Sequence, residues 1–309
     1  RQHSGNTMLA RCLGRSPEVY SATGEGTFFE HQDRLARMPA PDRAAAILAR
    51  TEGSGAEVPA GARTEAKRHM QGDGIGEEKT AGQMYARCMD WVARQHGANR
   101  WAQKATSYVF YVGDILERFP GARLLFLARN PFDLAASMKR RGVWGAVARM
   151  TYGWNKGVRL ALRVAQDHPE NVSLVRYEDF VRRPKQELKD ICSFCGLEFS
   201  SGLLDIYHVN RSESPYNQSS SEKGINASRV GYYEETLTGV EIGAVRALAN
   251  DRLFGEIYPE ITEKASLSGT SYAAALATTA ALTTGSQHLR ALLTEPRHAL
   301  QRVKKRLLA

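Results

Sequence analysis

Two stretches of this chain carry the residue types that hold phosphate. In RNPFDLAAS, Arg129 stands at the end of the apolar run LLFLA, and Ser137 follows eight residues later. A guanidinium at the carboxyl end of a buried strand and a hydroxyl on the adjoining helix can jointly hold a phosphate, because ligands of open α/β sheets bind at that edge. Read alone, the pattern also fits an arginine capping a carboxylate and a serine facing neighbouring backbone. The second stretch is the opening RQHSGNTML, where Ser4, Gly5, Asn6 and Thr7 run straight into an apolar helical pattern that begins at Met8. Backbone amides at such a helix start are an anion site. A lysine or arginine normally precedes a turn of this kind. Here His3 fills that place, with Arg1 two residues away. With an unperturbed pKa near ~6.5, an imidazole beside a dianion is a conditional charge.

Acid and base candidates cluster in GEGTFFEHQD, which offers Glu25, Glu30, His31 and Asp33. Four cysteines are present, two of them as C-x-x-C (Cys192 and Cys195) inside KQELKDICSFCG. A redox pair needs a strand feeding a helix start, whereas this one lies at a helix end before Gly196, so it reads as buried thiols. The Walker pattern G-x-x-x-x-G-K-[ST] of kinases and NTPases is not matched by RQHSGNTML, which has neither its glycine spacing nor its lysine.

The elements that must position these residues follow from periodicity. Met8, Leu9, Cys12 and Leu13 give a first helix, stopped by Gly14 and Pro17. The stretch from about 31 to 80 is rich in Ala, Gly, Arg and Glu and is expected to be a partly mobile insertion with one short helix. Met84, Cys88, Trp91 and Val92 mark a second firm helix, and Val109, Val112, Leu116 and Phe119 a third. ARLLFLARNPFD then reads as a strand buried on both faces, with Asn130 capping the next helix and Pro131 in its first turn. A helix with Trp154, Val158 and Ala161 leads to a second buried strand in NVSLVRYEDF, and another helix runs from Pro184 to Gly196. Alternating strands and helices predict an α/β fold with a parallel sheet. Residues from about 208 to 236 read as a polar loop, followed by one compact helix near 240 to 252.

Taken together in order over about residues 1 to 258, these stretches resemble the sulfotransferases that use 3′-phosphoadenosine 5′-phosphosulfate (PAPS), in motif style the carbohydrate, Golgi-type and related bacterial members. The resemblance implies a P-loop-like three-layer fold with a central parallel sheet flanked by helices. SGNTML resembles the family's 5′-phosphosulfate loop, which would engage Ser4, Gly5, Asn6, Thr7 and Met8, and RNPFDLAAS its 3′-phosphate motif, with Arg129 and Ser137. LVRYEDFVRRP is similar to the segment whose tyrosine, here Tyr177, lies near the adenine. SEKGINASRV is similar to the late loop over the nucleotide, offering Lys223, Gly224 and Arg229. GEGTFFE and KATSYVF resemble the segments that supply a glutamate base and a lysine at the reaction centre, which implies catalytic roles for Glu25 and Lys104 beside His3. PAPS would be the co-substrate and PAP the product, with no metal required. Departures from the pattern are His3 in the place of the cation, Thr27 where carbohydrate enzymes often have histidine, and Ala105-Thr106 in place of Thr/Ser-Pro. A strand feeding the opening loop is expected upstream of Arg1, and so is any membrane anchor.

Lys and Arg number 42 against 33 Asp and Glu, a formal net charge of +9, so the surface field favours anionic partners. Without a zinc-finger, RNA-recognition or helix-turn-helix signature, nucleic acid is not expected among them. The expected acceptor is a hydroxyl-bearing molecule, with an acidic glycan suggested by the charge. A catalytically inactive PAP- or PAPS-binding protein and a basic protein of polyanion or lipid surfaces are the alternatives. Asn171, Asn210, Asn217 and Asn226 lie in N-x-S sequons, the last three read as products of a Ser-rich loop, which leaves cytoplasm and Golgi lumen both open. From 259 on, a Ser/Thr/Ala linker and a basic end helix, HALQRVKKRLLA, are expected.

Overall fold

The computed structural model describes residues 4–22, 25–53, 64, 80–143, 145–206, 224–278 and 300. The chain divides into two compact units, one formed by Gly5–Ala122 with Glu198–Ile206, the other by Arg1–Ser4, Arg123–Leu197 and Tyr207–Ala309.

In the first unit, helix α1 (Asn6–Leu13) follows Gly5 and ends at Gly14, as its apolar spacing predicts. Strands β1 (Val19–Ala22) and β2 (Arg100–Gln103) pair in parallel, with Val19 opposite Arg100 and Ala22 opposite Gln103. Neither strand is predicted from the sequence, because four residues as mixed as VYSA and RWAQ give no continuous apolar run. Between them lie α2 (Phe28–Ala36), α3 (Ala40–Gly53) and α4 (Ala81–Gln95). In the stretch where one short helix is expected, the described residues carry α3, directly after α2, and most of the remainder lies outside the described residues. Helices α2 and α3 are joined by buried Arg43, whose guanidinium donates to the carbonyls of Leu35, Ala36 and Met38. Leu35 and Ala36 are the last residues of α2, and Met38 lies two residues beyond it, so one guanidinium ties the end of α2 to α3. Helix α4 starts on a capping box between Thr80 and Gln83. A 3-10 turn (Tyr108–Tyr111) leads into α5 (Val112–Arg118).

The core of this unit is aromatic. Phe28 stacks on Tyr85 at 4.1 Å between centroids, and Phe29 meets the edge of Tyr108 at 5.0 Å. Trp101 and Phe119 close the cluster at 6.1 Å, and Trp101 Nε1 donates to Asp90.

In the second unit, β3 (Leu124–Ala128) and β4 (Val172–Arg176) pair in parallel with Ala128 opposite Arg176. The crossover between them is α6 (Pro131–Lys139) and the 22-residue α7 (Ala146–Asp167). Asn130 accepts from the amide of Asp133 and Pro131 opens α6, the predicted cap and first turn. The expected strand through YEDF ends earlier, since Tyr177 already begins α8 (Tyr177–Arg182). Helix α9 (Pro184–Cys195) stops at Gly196, φ 62°, with Cys192 buried, Cys195 half-buried and neither in a disulfide. The single compact helix expected near 240 to 252 is two, α11 (Gly239–Leu248) and α12 (Asp251–Ile257), preceded by the single turn α10 (Tyr233–Thr236). Asn250 caps α12, and its own amide donates to Asn155 on α7. A further helix, α13, spans 267–278, where a linker is expected. Its Gly269 lies against the backbone of Gly243 on α11, so closely that an added Cβ would sit 2.5 Å from the Gly243 carbonyl carbon. Phe132, Trp154, Phe254 and Tyr258 form the centre of this core.

Parallel pairing with crossover helices is the α/β fold that the alternation of elements predicts. Among the described residues, no helix is long and apolar enough to cross a membrane.

Candidate active site

In each unit the chemistry-bearing residues stand just past the carboxyl ends of a parallel strand pair. In the first unit, β2 ends at Gln103 and Lys104 follows, while β1 ends at Ala22 and Glu25 lies three residues on. Lys104 Nζ donates to Glu25 Oε2 at 3.0 Å. The other oxygen, Oε1, accepts from both the amide and the hydroxyl of Thr106. The backbone closes the same turn, with the Gly26 amide donating to the Lys104 carbonyl at 2.7 Å. Phe28 and Phe29, three and four residues after Glu25, are the anchors of the aromatic core, and the Phe28 amide donates to the Tyr108 hydroxyl at 3.0 Å. The two sequence motifs thus hold each other.

Burial raises the affinity of Glu25 for a proton, but the Thr106 hydroxyl and amide and the Lys104 ammonium outweigh it and hold the carboxyl below its ordinary value of 4.5. At neutral pH the group is a carboxylate with a cation beside it. Glu30, His31 and Asp33, its rivals in sequence, lie on α2 beyond the Phe pair.

From Gly5 on, the opening loop belongs to this unit. Gly5 takes φ 87°, the left-handed region that glycine occupies without steric cost, and α1 starts from it with no side-chain cap. The amides of Asn6, Thr7 and Met8 are therefore the first of α1, where the intrahelical ladder supplies no acceptor. Ser4 is 1% exposed, and its Oγ meets no hydrogen-bond partner among the described residues. An orphaned buried hydroxyl ahead of a helix start fits an anionic oxygen. His3 lies outside the described residues.

In the second unit, the register of β3 on β4 decides the geometry. Ala128 and Arg176 are opposite, so the next residues, Arg129 and Tyr177, become neighbours at the carboxyl edge. The Arg129 guanidinium lies over the Tyr177 ring at 4.5 Å. It is 3.9 Å from Asp133 Oδ2 and donates to the Arg229 carbonyl at 2.6 Å. Both Arg129 and Tyr177 are buried. Ser137 is half-buried on α6, two turns along from Arg129. Arg229 is exposed, with its guanidinium over Tyr232 at 4.9 Å. Gly224 is half-buried at φ 103°, and Lys223 lies outside the described residues.

Two residues escape the sequence reading. Thr106 is noticed there only as a departure from a Thr/Ser-Pro pattern. Asp133 is fully buried and accepts from Asn130 Nδ2 and from the amides of Gly231 and Tyr233. An acid inside the otherwise apolar PFDLAA was the signal for it. Burial raises its pKa, against the pull of Arg129, the two amides and Asn130.

A sequence profile of the Sulfotransferase family matches residues 2–201. An uncharacterized protein of Aquifex aeolicus (strain VF5) is 27% identical over 177 residues, which are 52% of this chain and 23% of that protein. The chain thus spans less than a quarter of this curated relative. Among solved structures, the chain is similar to the sulfotransferase domain from the Synechococcus PCC 7002 olefin synthase: 20% identity, TM-score 0.50, covering 89% of this chain and 90% of that one. It is also similar to the sulfotransferase domain from the curacin biosynthetic pathway: 17% identity, TM-score 0.46, covering 89% and 94%. The likeness to the olefin synthase domain shows the fold, a P-loop-like α/β architecture. The profile runs from the opening loop through Glu25, Lys104, Arg129 and Tyr177 and takes in well over half of the chain, and by that match the chain belongs to the sulfotransferase family.

Proposed function

We propose that this chain transfers a sulfuryl group from PAPS to an acceptor hydroxyl, a carbohydrate hydroxyl being favoured, by in-line displacement. The observation that carries the reading is the Glu25–Lys104 pair at the carboxyl ends of β1 and β2, a carboxylate and an ammonium 3.0 Å apart. Membership in the sulfotransferase family, whose members generally use PAPS, supports the donor. PAPS, when bound, supplies an activated sulfuryl group whose bond to phosphate oxygen breaks with the electron pair left on the phosphate.

The chain's own residues do the rest. Glu25 takes the proton from the acceptor hydroxyl, and Lys104 keeps a positive charge beside the developing negative one. The buried Ser4 hydroxyl and the amides of Gly5, Asn6, Thr7 and Met8 donate to the 5′-phosphosulfate, with His3 adding charge when protonated. Arg129 and Ser137 hold the 3′-phosphate, Tyr177 lies toward the adenine, and Lys223, Gly224 and Arg229 belong to the segment over the nucleotide. The acceptor is a hydroxyl compound, and the formal charge of +9 favours an acidic glycan over a neutral one.

Two measurements test this. Isothermal titration with PAP should give saturable binding that Arg129→Ala weakens by about 100-fold. Radiolabelled PAPS with a panel of acidic glycans should give sulfated product, and Glu25→Gln should lower kcat by about 100-fold or more while leaving PAP affinity unchanged. Binding without turnover on any glycan, phenol or alcohol, and no effect of Glu25→Gln, would leave a nucleotide-binding protein and refute the enzyme.

A further inference from the structure

The two oxygens of Glu25 are not equivalent. Oε1 accepts from the amide and the hydroxyl of Thr106, and Oε2 accepts from Lys104 Nζ. A carboxylate oxygen offers two lone-pair directions. Both of those on Oε1 are taken by one residue, while Oε2 keeps one that meets no donor among the described residues. The Glu25 side chain is 39% exposed, against 16% for Lys104, so an incoming hydroxyl can reach it.

We infer that Thr106 is a positioning residue that anchors Glu25 through Oε1 and so makes Oε2 the oxygen that receives the acceptor's proton. This rests on the assignment of Glu25 as the base under Proposed function. The step balances: the acceptor O–H bond breaks and its proton bonds to Oε2, and the electron pair so freed forms the new oxygen–sulfur bond. The sulfur–oxygen bond to phosphate breaks, its pair leaving with the phosphate. The Lys104 ammonium pulls the Glu25 titration down. The other donors at Glu25 are those of Thr106, and the nearby Tyr108 hydroxyl is engaged by the Phe28 amide.

The anchor depends on the threonine that this chain has at 106. A proline at 106, usual in the motif this stretch resembles, has neither an N–H nor a hydroxyl. The departure that looks like a weakened site in sequence places two donors on the candidate base. Both favour the ionised carboxyl, so their loss must move its titration upward.

The test uses the ligand-free full chain with carbon-13 in its glutamate carboxyls, the Glu25 resonance being the one lost in Glu25→Gln. Thr106→Val keeps the amide and the shape and removes the hydroxyl. Thr106→Ala is the second variant should valine disturb the turn. The Glu25 carboxyl is expected to titrate at higher pH in either, and to return to the wild-type position in Thr106→Ser. With PAPS and acceptor, the acid limb of kcat/KM moves to higher pH in the same variants, and kcat at neutral pH falls about 10- to 100-fold with KM little changed. An unchanged Glu25 titration in folded Thr106→Val and Thr106→Ala would overturn the inference. Full turnover in Glu25→Gln would sink the base assignment instead, and the carboxyl titration would still decide whether Thr106 anchors Glu25.

Discussion

Arg129 makes three kinds of contact at once: it stacks on Tyr177, approaches Asp133 and donates to the Arg229 carbonyl. The guanidinium is planar and carries five donors in a fixed fork, so it can stack on a ring and donate in its plane at the same time. An ammonium is a point charge and cannot stack and fork together. Arg129→Lys is therefore expected to fold normally and to bind PAP about 10- to 100-fold more weakly, as calorimetric titration would read. Equal affinity would mean that only charge matters at this position. The same residue shows what sequence can display. Its place after LLFLA gave it away as a strand-end cation, because strand and helix signals are local. That its ring partner is Tyr177 depends on β3–β4 register across 48 residues, which no local pattern encodes.

At the scale of elements, the segment 229–236 is latched to the start of α6. Asp133 in the first turn of α6 accepts from the amides of Gly231 and Tyr233, and Arg129 donates to the carbonyl of Arg229. Tyr232 lies between the guanidiniums of Arg140 and Arg229, at 4.8 and 4.9 Å. Asp133→Asn keeps the size but turns an amide NH2 toward a cluster of donors, leaving buried N–H groups without acceptors. It should cost about 1–3 kcal/mol by urea denaturation. Amide exchange should quicken across 229–236 first, with far-UV helix content retained. Uniform quickening over the whole second unit would show that Asp133 is a general core residue and not a latch. The helix caps at Asn130 and Gly196 and the apolar periods of α1, α4 and α7 were legible because each is written within a few residues. Strands β1 and β2 were not, since a four-residue strand such as RWAQ carries charge and draws its order from a partner 81 positions away in register. Helix α13 falls in the expected linker because its sequence is mostly Ala, Ser and Thr. What holds it is Ala273 buried in the core with Leu276 packed against it, the close Gly243–Gly269 approach and the Ser266 cap on the Gly269 amide, a fit of small residues and backbone that hydropathy hardly registers.

At the scale of the whole molecule, the two units are interleaved along the chain. The first unit runs from Gly5 to Ala122, the chain then builds most of the β3–β4 unit, and it returns to the first unit for Glu198–Ile206 before leaving again. That returning segment is short but buries Leu203 at 1% exposure and Ile206 at 5%. Its 3-10 turn (Ser201–Leu204) packs against α1, the helix that follows the proposed anion loop. The loop's support therefore comes from residues synthesised after the whole of β3 to α9. Removing a fully buried leucine side chain to Ala costs about 2–5 kcal/mol, through lost burial and the cavity left behind. Leu203→Ala is expected to weaken the first unit by that amount. Hydrogen exchange should then speed up in peptides from 6–22 and 81–118, with little change in α6 and α7. PAP affinity should fall along with protection at α1, although Leu203 is some 200 residues from the loop in sequence. If instead protection fell equally in 131–167, the two units would unfold as one cooperative block. If it fell nowhere, the returning segment would be a passive connection and the anion loop would be held by α1 alone.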